Sequence, residues 1–142
     1  MTSIEEPIPG RNQYSSSARD PVRVLVVDDD PDTVVALRML LDTEGYETRG
    51  LYSGKAALGA LDDFKPDAVL LDIGMPGTSG YDVARQIHRQ HGERILLVAI
   101  TAWTHATDKM LAQLAGFHHH ICKPYRPDEV LTVLTPLTMG RR

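Results

Sequence analysis

The chain has 142 residues, 42% of them hydrophobic and 24% charged, with a formal net charge of −4. That length supports one domain around one sizeable core, and an acidic balance without a dense Lys/Arg face argues against nucleic acid as a direct partner. A single cysteine, Cys122, excludes an internal disulfide; no apolar run nears the roughly 18 residues of a membrane span, no secretory signal is visible, and a cytoplasmic location is expected.

Residues 1–20 are polar, carry Pro7, Pro9 and Ser15 to Ser17, and show no periodicity. They read as a flexible N-terminal arm before a domain spanning 21–138, with 139–142 as a short tail. From Val22 the pattern turns regular. "VRVLVV" (22–27) is a near-continuous apolar strand, of the kind a parallel sheet covered on both faces requires. Asp30 and Pro31 then start a helix over 31–44, with Val34, Val35, Leu37, Leu40 and Leu41 as its apolar stripe and Gly45 as its stop. "YETRGLY" (46–52) is mixed and reads as an edge strand. Ser53 caps a second helix with Ala57, Leu58 and Leu61 inward. "AVLL" (68–71) is the third strand, and Ser79 opens a third helix with Val83, Ala84 and Ile87. "ILLVAI" (95–100) is the fourth strand. Thr104 caps a fourth helix with Leu111 and Leu114 inward, ended by Gly116. "HHHIC" (118–122) reads as the other edge, and Pro127 begins a fifth helix with Val130, Leu131 and Leu134.

Five strand–helix units in about 120 residues predict an α/β fold, a flavodoxin-like (βα)5 three-layer sandwich with parallel order 2-1-3-4-5. In that order the carboxyl ends of the strands share one edge. The first strand ends on Asp28, Asp29 and Asp30, the third on Asp72, the fourth on Thr101 and the fifth on Lys123. A single Asp at a strand end is usually a turn former or a helix cap; the whole set converging marks a site. Like-charged carboxylates repel unless a cation intervenes, and an oxygen-rich pocket with few protein ligands suits Mg²⁺ or Mn²⁺. Lys123 opposite the metal would neutralise a transferring phosphoryl group, Thr101 would hydrogen-bond its oxygens, and Asp72 would be the nucleophile that becomes an acyl phosphate.

With those residues in place, the stretch from Arg23 to Leu134 resembles the receiver domain of two-component response regulators, chemotaxis regulators among them. The resemblance rests on "VLVVDDDPD" (24–32), "LLDIGMPGTSGYD" (70–82), "ITAW" (100–103) and "CKPY" (122–125), in order and at receiver spacing. It implies that Asp28 and Asp29 form the acidic metal pocket, that Asp72 is the phosphorylation site and that the Gly74 carbonyl completes the ligands. It also implies that Thr101 and Lys123 read and bind the phosphoryl group, and that the bond before Pro124 is cis. The implied donor is a sensor histidine kinase or a histidine phosphotransfer protein, and the output a change in affinity for a protein target through the face of helix 4, strand 5 and helix 5. The chain would catalyse only its own phosphorylation and dephosphorylation. No output module follows Leu137, which fits either a single-domain regulator or a receiver from a hybrid kinase.

Two departures stand out. Where the family usually has Tyr or Phe on strand 5, this chain has His120, a smaller ring that ionises near neutrality; a weaker or pH-dependent switch is expected. Gly74 offers no side chain to position water, and Trp103 is placed to shield the phosphoryl group, so slow hydrolysis is expected. Rival readings are weaker. "HHH" puts only His118 and His120 on one strand face, one ligand short of a catalytic zinc site. "DPDTV" (30–34) imitates the nucleophile motif of haloacid-dehalogenase-type phosphatases, yet Pro31 places Asp30 at a helix cap. A degenerate receiver used only for docking is at odds with the intact acidic set.

Overall fold

The computed structural model describes residues 20–77, 79–102 and 106–139, without the side chains of 106 and 107. The elements run β1 (Arg23–Val27), α1 (Pro31–Thr43), β2 (Glu47–Leu51), α2 (Gly54–Phe64), β3 (Ala68–Asp72), α3 (Gly80–His91), β4 (Leu96–Thr101), α4 (Ala106–Ala115), β5 (His119–Cys122) and α5 (Pro127–Met139), with a 3₁₀ turn at Gly92–Arg94. The sheet has the order β2-β1-β3-β4-β5, and every neighbouring pair is parallel. This is the expected (βα)5 topology, with the two mixed strands, β2 and β5, at the edges.

The continuous apolar runs make sense once both faces of the sheet are covered. On one face Leu25, Val27, Val69, Leu71, Leu97 and Ala99 pack under α2, α3 and α4. On the other, Val24, Val26, Leu70, Val98, Ile100 and Ile121 pack under α1 and α5. Alternate residues of each strand thus serve opposite cores, and each buried Val, Leu or Ile contributes about 1.5–3 kcal/mol. The helices start where the caps predict: Asp30 accepts from the Asp32 N–H, Ser53 from the Ala56 N–H and Ser79 from the Asp82 N–H. Gly45, at φ +95°, follows α1 in a conformation that an L side chain rarely adopts.

Several expectations need correction. Val35 is 52% exposed, so α1 rests on Val34, Leu37 and Leu41, with Leu40 only half-buried. Leu111 and Leu114 do not face inward: they are 41% and 75% exposed, and α4 buries Ala112 and Ala115 instead. Two apolar stripes one residue apart have the same period, and the narrow space beside β4 and β5 takes methyl groups, not isobutyl groups. β3 and β4 do end on Asp72 and Thr101 as expected, each one residue beyond its apolar run. The arm up to Arg19, the Thr104 cap, Trp103 and residues 140–142 lie outside the described residues. Among the described residues no helix is long and apolar enough to cross a membrane.

Candidate functional site

Parallel strands in this order bring the ends of β1, β3, β4 and β5 side by side. Asp28 directly follows β1; its N–H donates to the Leu51 carbonyl (3.1 Å) and its Oδ1 accepts the Asp30 N–H (3.0 Å), which fixes the carboxylate at 3% exposure. Asp72 closes β3 opposite Ile100 on β4, is 9% exposed, and accepts the Gly74 N–H on Oδ1 at 2.8 Å. The loop after it is pinned from behind. A β-carbon at Gly80 would lie 2.6 Å from the Ile73 Cα, so the first turn of α3 presses directly on the backbone next to Asp72. Any side chain at Gly74 would touch the Asp72 carboxylate, its Cβ 3.3 Å from Oδ1.

Lys123 arrives from the far edge. Its N–H donates to the Thr101 carbonyl (2.7 Å), its peptide bond to Pro124 is cis as expected, and its ammonium reaches back across β4. Nζ donates to Asp28 Oδ2 at 3.1 Å and to Asp72 Oδ2 at 3.5 Å. Thr101 is buried at the end of β4, paired with Cys122. Asp29 is exposed, yet one carboxylate oxygen from each of Asp28, Asp29 and Asp72 lies within 4.8 Å of the others, the one such cluster among the described residues. Asp30 accepts from the Asp32 N–H and the Thr33 hydroxyl, which makes it the cap of α1 and removes the nucleophile from the dehalogenase-type reading.

The electrostatics match the geometry. Burial raises the Asp72 pKa and Asp28 adds repulsion, against the opposing pull of the Gly74 N–H and of Lys123. For Lys123, burial works against the charge, but its bonds to Asp28 and the field of Asp72 outweigh it and the pKa rises. Three clustered carboxylates facing one ammonium leave excess negative charge. A donor set of oxygens alone fits a hard divalent cation of the Mg²⁺ or Mn²⁺ kind.

His120 on β5 is half-buried, and neither of its ring nitrogens has a hydrogen-bond partner among the described residues. Burial, then Lys109, lowers its pKa, while Asp108 pulls the other way. Asp108 Oδ2 and the Tyr81 hydroxyl are also buried without hydrogen-bond partners among the described residues. Asp108 escaped the sequence reading because an acid in a first helical turn is already accounted for by the helix dipole. The histidine run forms no metal site. His118 Nδ1 accepts the Leu97 N–H (3.0 Å), which leaves its proton on Nε2, directed at Glu93 Oε1 (2.7 Å); an Nε2 that holds its proton is no metal ligand.

Comparison with known proteins agrees with this geometry. The sequence model of the response regulator receiver domain matches residues 24–135. The chain is 38% identical over 109 residues to the DNA-binding response regulator MtrA of Mycolicibacterium smegmatis, covering 77% of this chain and 47% of that protein. It is 34% identical over 117 residues to the response regulator MprA of Mycolicibacterium vanbaalenii, covering 82% and 50% respectively. The chain thus spans about half the length of the curated relatives it matches. Among solved structures, a CheY-like receiver domain protein from Methanospirillum hungatei superposes with a TM-score of 0.79 at 21% identity, covering 86% of this chain and 97% of that one. Strand order, acidic cluster and matched span lead to one conclusion: the chain belongs to the response regulator receiver domain family.

Proposed function

We propose that Asp72 is the phosphoacceptor of a two-component phosphorelay, charged from phosphohistidine on a sensor histidine kinase or a histidine phosphotransfer protein. The observation that carries this reading is the Lys123 ammonium held between Asp28 Oδ2 and Asp72 Oδ2 at 3.1 and 3.5 Å. An Asp72 oxygen attacks phosphorus in line; the O–P bond of an acyl phosphate forms as the P–N bond breaks, and the leaving imidazole takes up a proton. Lys123 balances the charge that develops on the phosphoryl oxygens, and the Gly74 N–H holds the carboxylate in its attacking orientation. Asp28, Asp29, Asp72 and the Gly74 carbonyl would hold Mg²⁺ or Mn²⁺, which supplies further neutralisation of the phosphoryl oxygens when bound.

After transfer, Thr101 turns toward the phosphoryl group. His120 and α4 then follow into a second arrangement that changes the affinity of the α4–β5–α5 face for a protein target. The chain acts as its own substrate, and its output is protein contact, with no direct part for nucleic acid or membrane. The domain limits of 21–138 and a cytoplasmic location belong to the same reading.

Incubation with acetyl phosphate and Mg²⁺, followed by intact mass and mapping of a base-labile adduct, tests it. One phosphoryl group on Asp72, absent in Asp72→Asn and without Mg²⁺, is the expected result. Failure to label Asp72 would leave a docking module in its place.

A further inference from the structure

At the opposite edge of the sheet from Asp72, beside the first residues of β4 and β5, α3 and the C-terminal end of α4 leave a groove of about 400 Å³. Its floor is Ala115 and Phe117, both buried, and Leu114 stands at its rim, 75% exposed. Arg85 and Arg89, one helical turn apart on α3, face it from the other side and are exposed.

The charges in this groove are unevenly used. Glu93, the one acid in the lining, has both oxygens occupied: His88 Nε2 lies 2.7 Å from Oε2 and His118 Nε2 lies 2.7 Å from Oε1. Those two bonds hold the Glu93 pKa below the usual carboxylate range, His118 contributing most. Arg85 pairs with Asp82, and Arg89 has no carboxylate partner among the described residues. With its histidines neutral, the lining carries two arginines against one carboxylate, a surplus of one positive charge in a chain of net charge −4. Glu93 also shows what the site accepts: a carboxylate, taken by two N–H donors from different elements.

We infer that the α3–α4 groove docks an acidic segment of a partner protein, with Arg85 and Arg89 receiving its carboxylates and Leu114 and Phe117 an apolar side chain between them. The charge is complementary, and the mixed lining fits a peptide better than a bare anion, which has no use for the apolar floor. The site stands apart from phosphoryl chemistry. β4 alone separates the two ends of the sheet by roughly 17 Å at about 3.3 Å per residue, so both ends can be engaged together.

Titration of the ¹⁵N-labelled full chain with an acetylated peptide of glutamates flanking a central leucine tests the inference. Expected are saturable shifts at the amides of Arg89, Leu114 and Gly116, at least about tenfold weaker binding in Arg89→Glu, and retention in Arg89→Lys. Glu93→Gln, which removes the resident charge, should strengthen binding. Uptake of phosphate by Asp72 should be unchanged in Arg89→Glu, separating this site from the proposed phosphoacceptor. Equal binding of the all-glutamine peptide, indifference to Arg89→Glu, or stronger shifts of the same amides by single-stranded DNA would overturn it.

Discussion

Lys123 and Asp28 are 95 positions apart in the chain, yet the ammonium of one donates to the carboxylate of the other over 3.1 Å. Lys123→Met keeps a long stem and removes the charge, leaving two buried carboxylates without their cation. Phosphoryl uptake should fall about 10²–10³-fold, the usual effect of deleting one donor to a developing oxyanion. Stability should fall by about 1–2 kcal/mol, since hydrogen bonds to charged groups contribute about 1.5–3 kcal/mol and the side chain is 29% exposed. Because the folded pKa of Lys123 is raised, its stabilisation is complete below the unfolded value of about 10.4 and is lost as pH rises through the folded one. The gap between variant and wild type in urea midpoint should therefore stay level from about pH 6 to 9.

Asp72→Asn should act in the opposite direction on stability. The raised pKa of Asp72 means that the fold favours its neutral form, so the ionised group opposes folding at neutral pH and ceases to as pH drops below its unfolded value. In EDTA at pH 7 the variant should melt about 2–5 °C above wild type. Added Mg²⁺ should stabilise wild type by mass action and close or invert the gap. A variant less stable than wild type in EDTA would show that the carboxylate is better satisfied than its surroundings indicate.

How much of this was readable from sequence depends on how the signal is stored. Asp28 and Asp72 were legible because each closes an apolar run, and Lys123 because it follows the last, mixed strand; strand order places those three ends together. The face of α4 was not. Leu111 with Leu114 and Ala112 with Ala115 trace equally good stripes, and only the depth of the space against the sheet chooses the alanines. The three histidines were alike in sequence. What distinguishes His118 is a backbone donor at Leu97 and a carboxylate at Glu93, 25 residues away, and no local pattern encodes either.

The two stripes of α4 can be told apart by substitution. Leu114→Asn should change stability by no more than about 0.5 kcal/mol, as at other exposed positions. Ala112→Leu forces an isobutyl group into a filled contact and should cost about 1–3 kcal/mol. Chemical denaturation of both variants measures the order, and the reverse order would mean that the helix rests on its leucines.

His120 provides a pH test. Its folded pKa is lowered, so the unfolded chain binds the proton first as pH falls below about 6.5, and the folded state loses stability from there downward. His120→Phe removes both the ionisation and the unpartnered ring nitrogens, each unmet buried group costing about 1–3 kcal/mol. The variant should be the more stable protein at pH 8, and its advantage should grow by pH 5.5. Parallel urea melts at the two pH values check both parts, and an advantage that shrinks on acidification would contradict the assigned direction.

The alanine floor under α4 has a mechanical side. α3 is keyed to the sheet by Val83, Ala84 and Ile87, whereas the described side chains of α4 offer two methyl groups, worth roughly 1.5 kcal/mol at about 0.8 kcal/mol per buried carbon. A smooth contact of that kind resembles a slip plane more than an interlock, and the energy that holds it is a small multiple of thermal energy. On the proposed switch, α4, with the shallowest footing, is the helix expected to yield first when the charge at the head of the sheet changes.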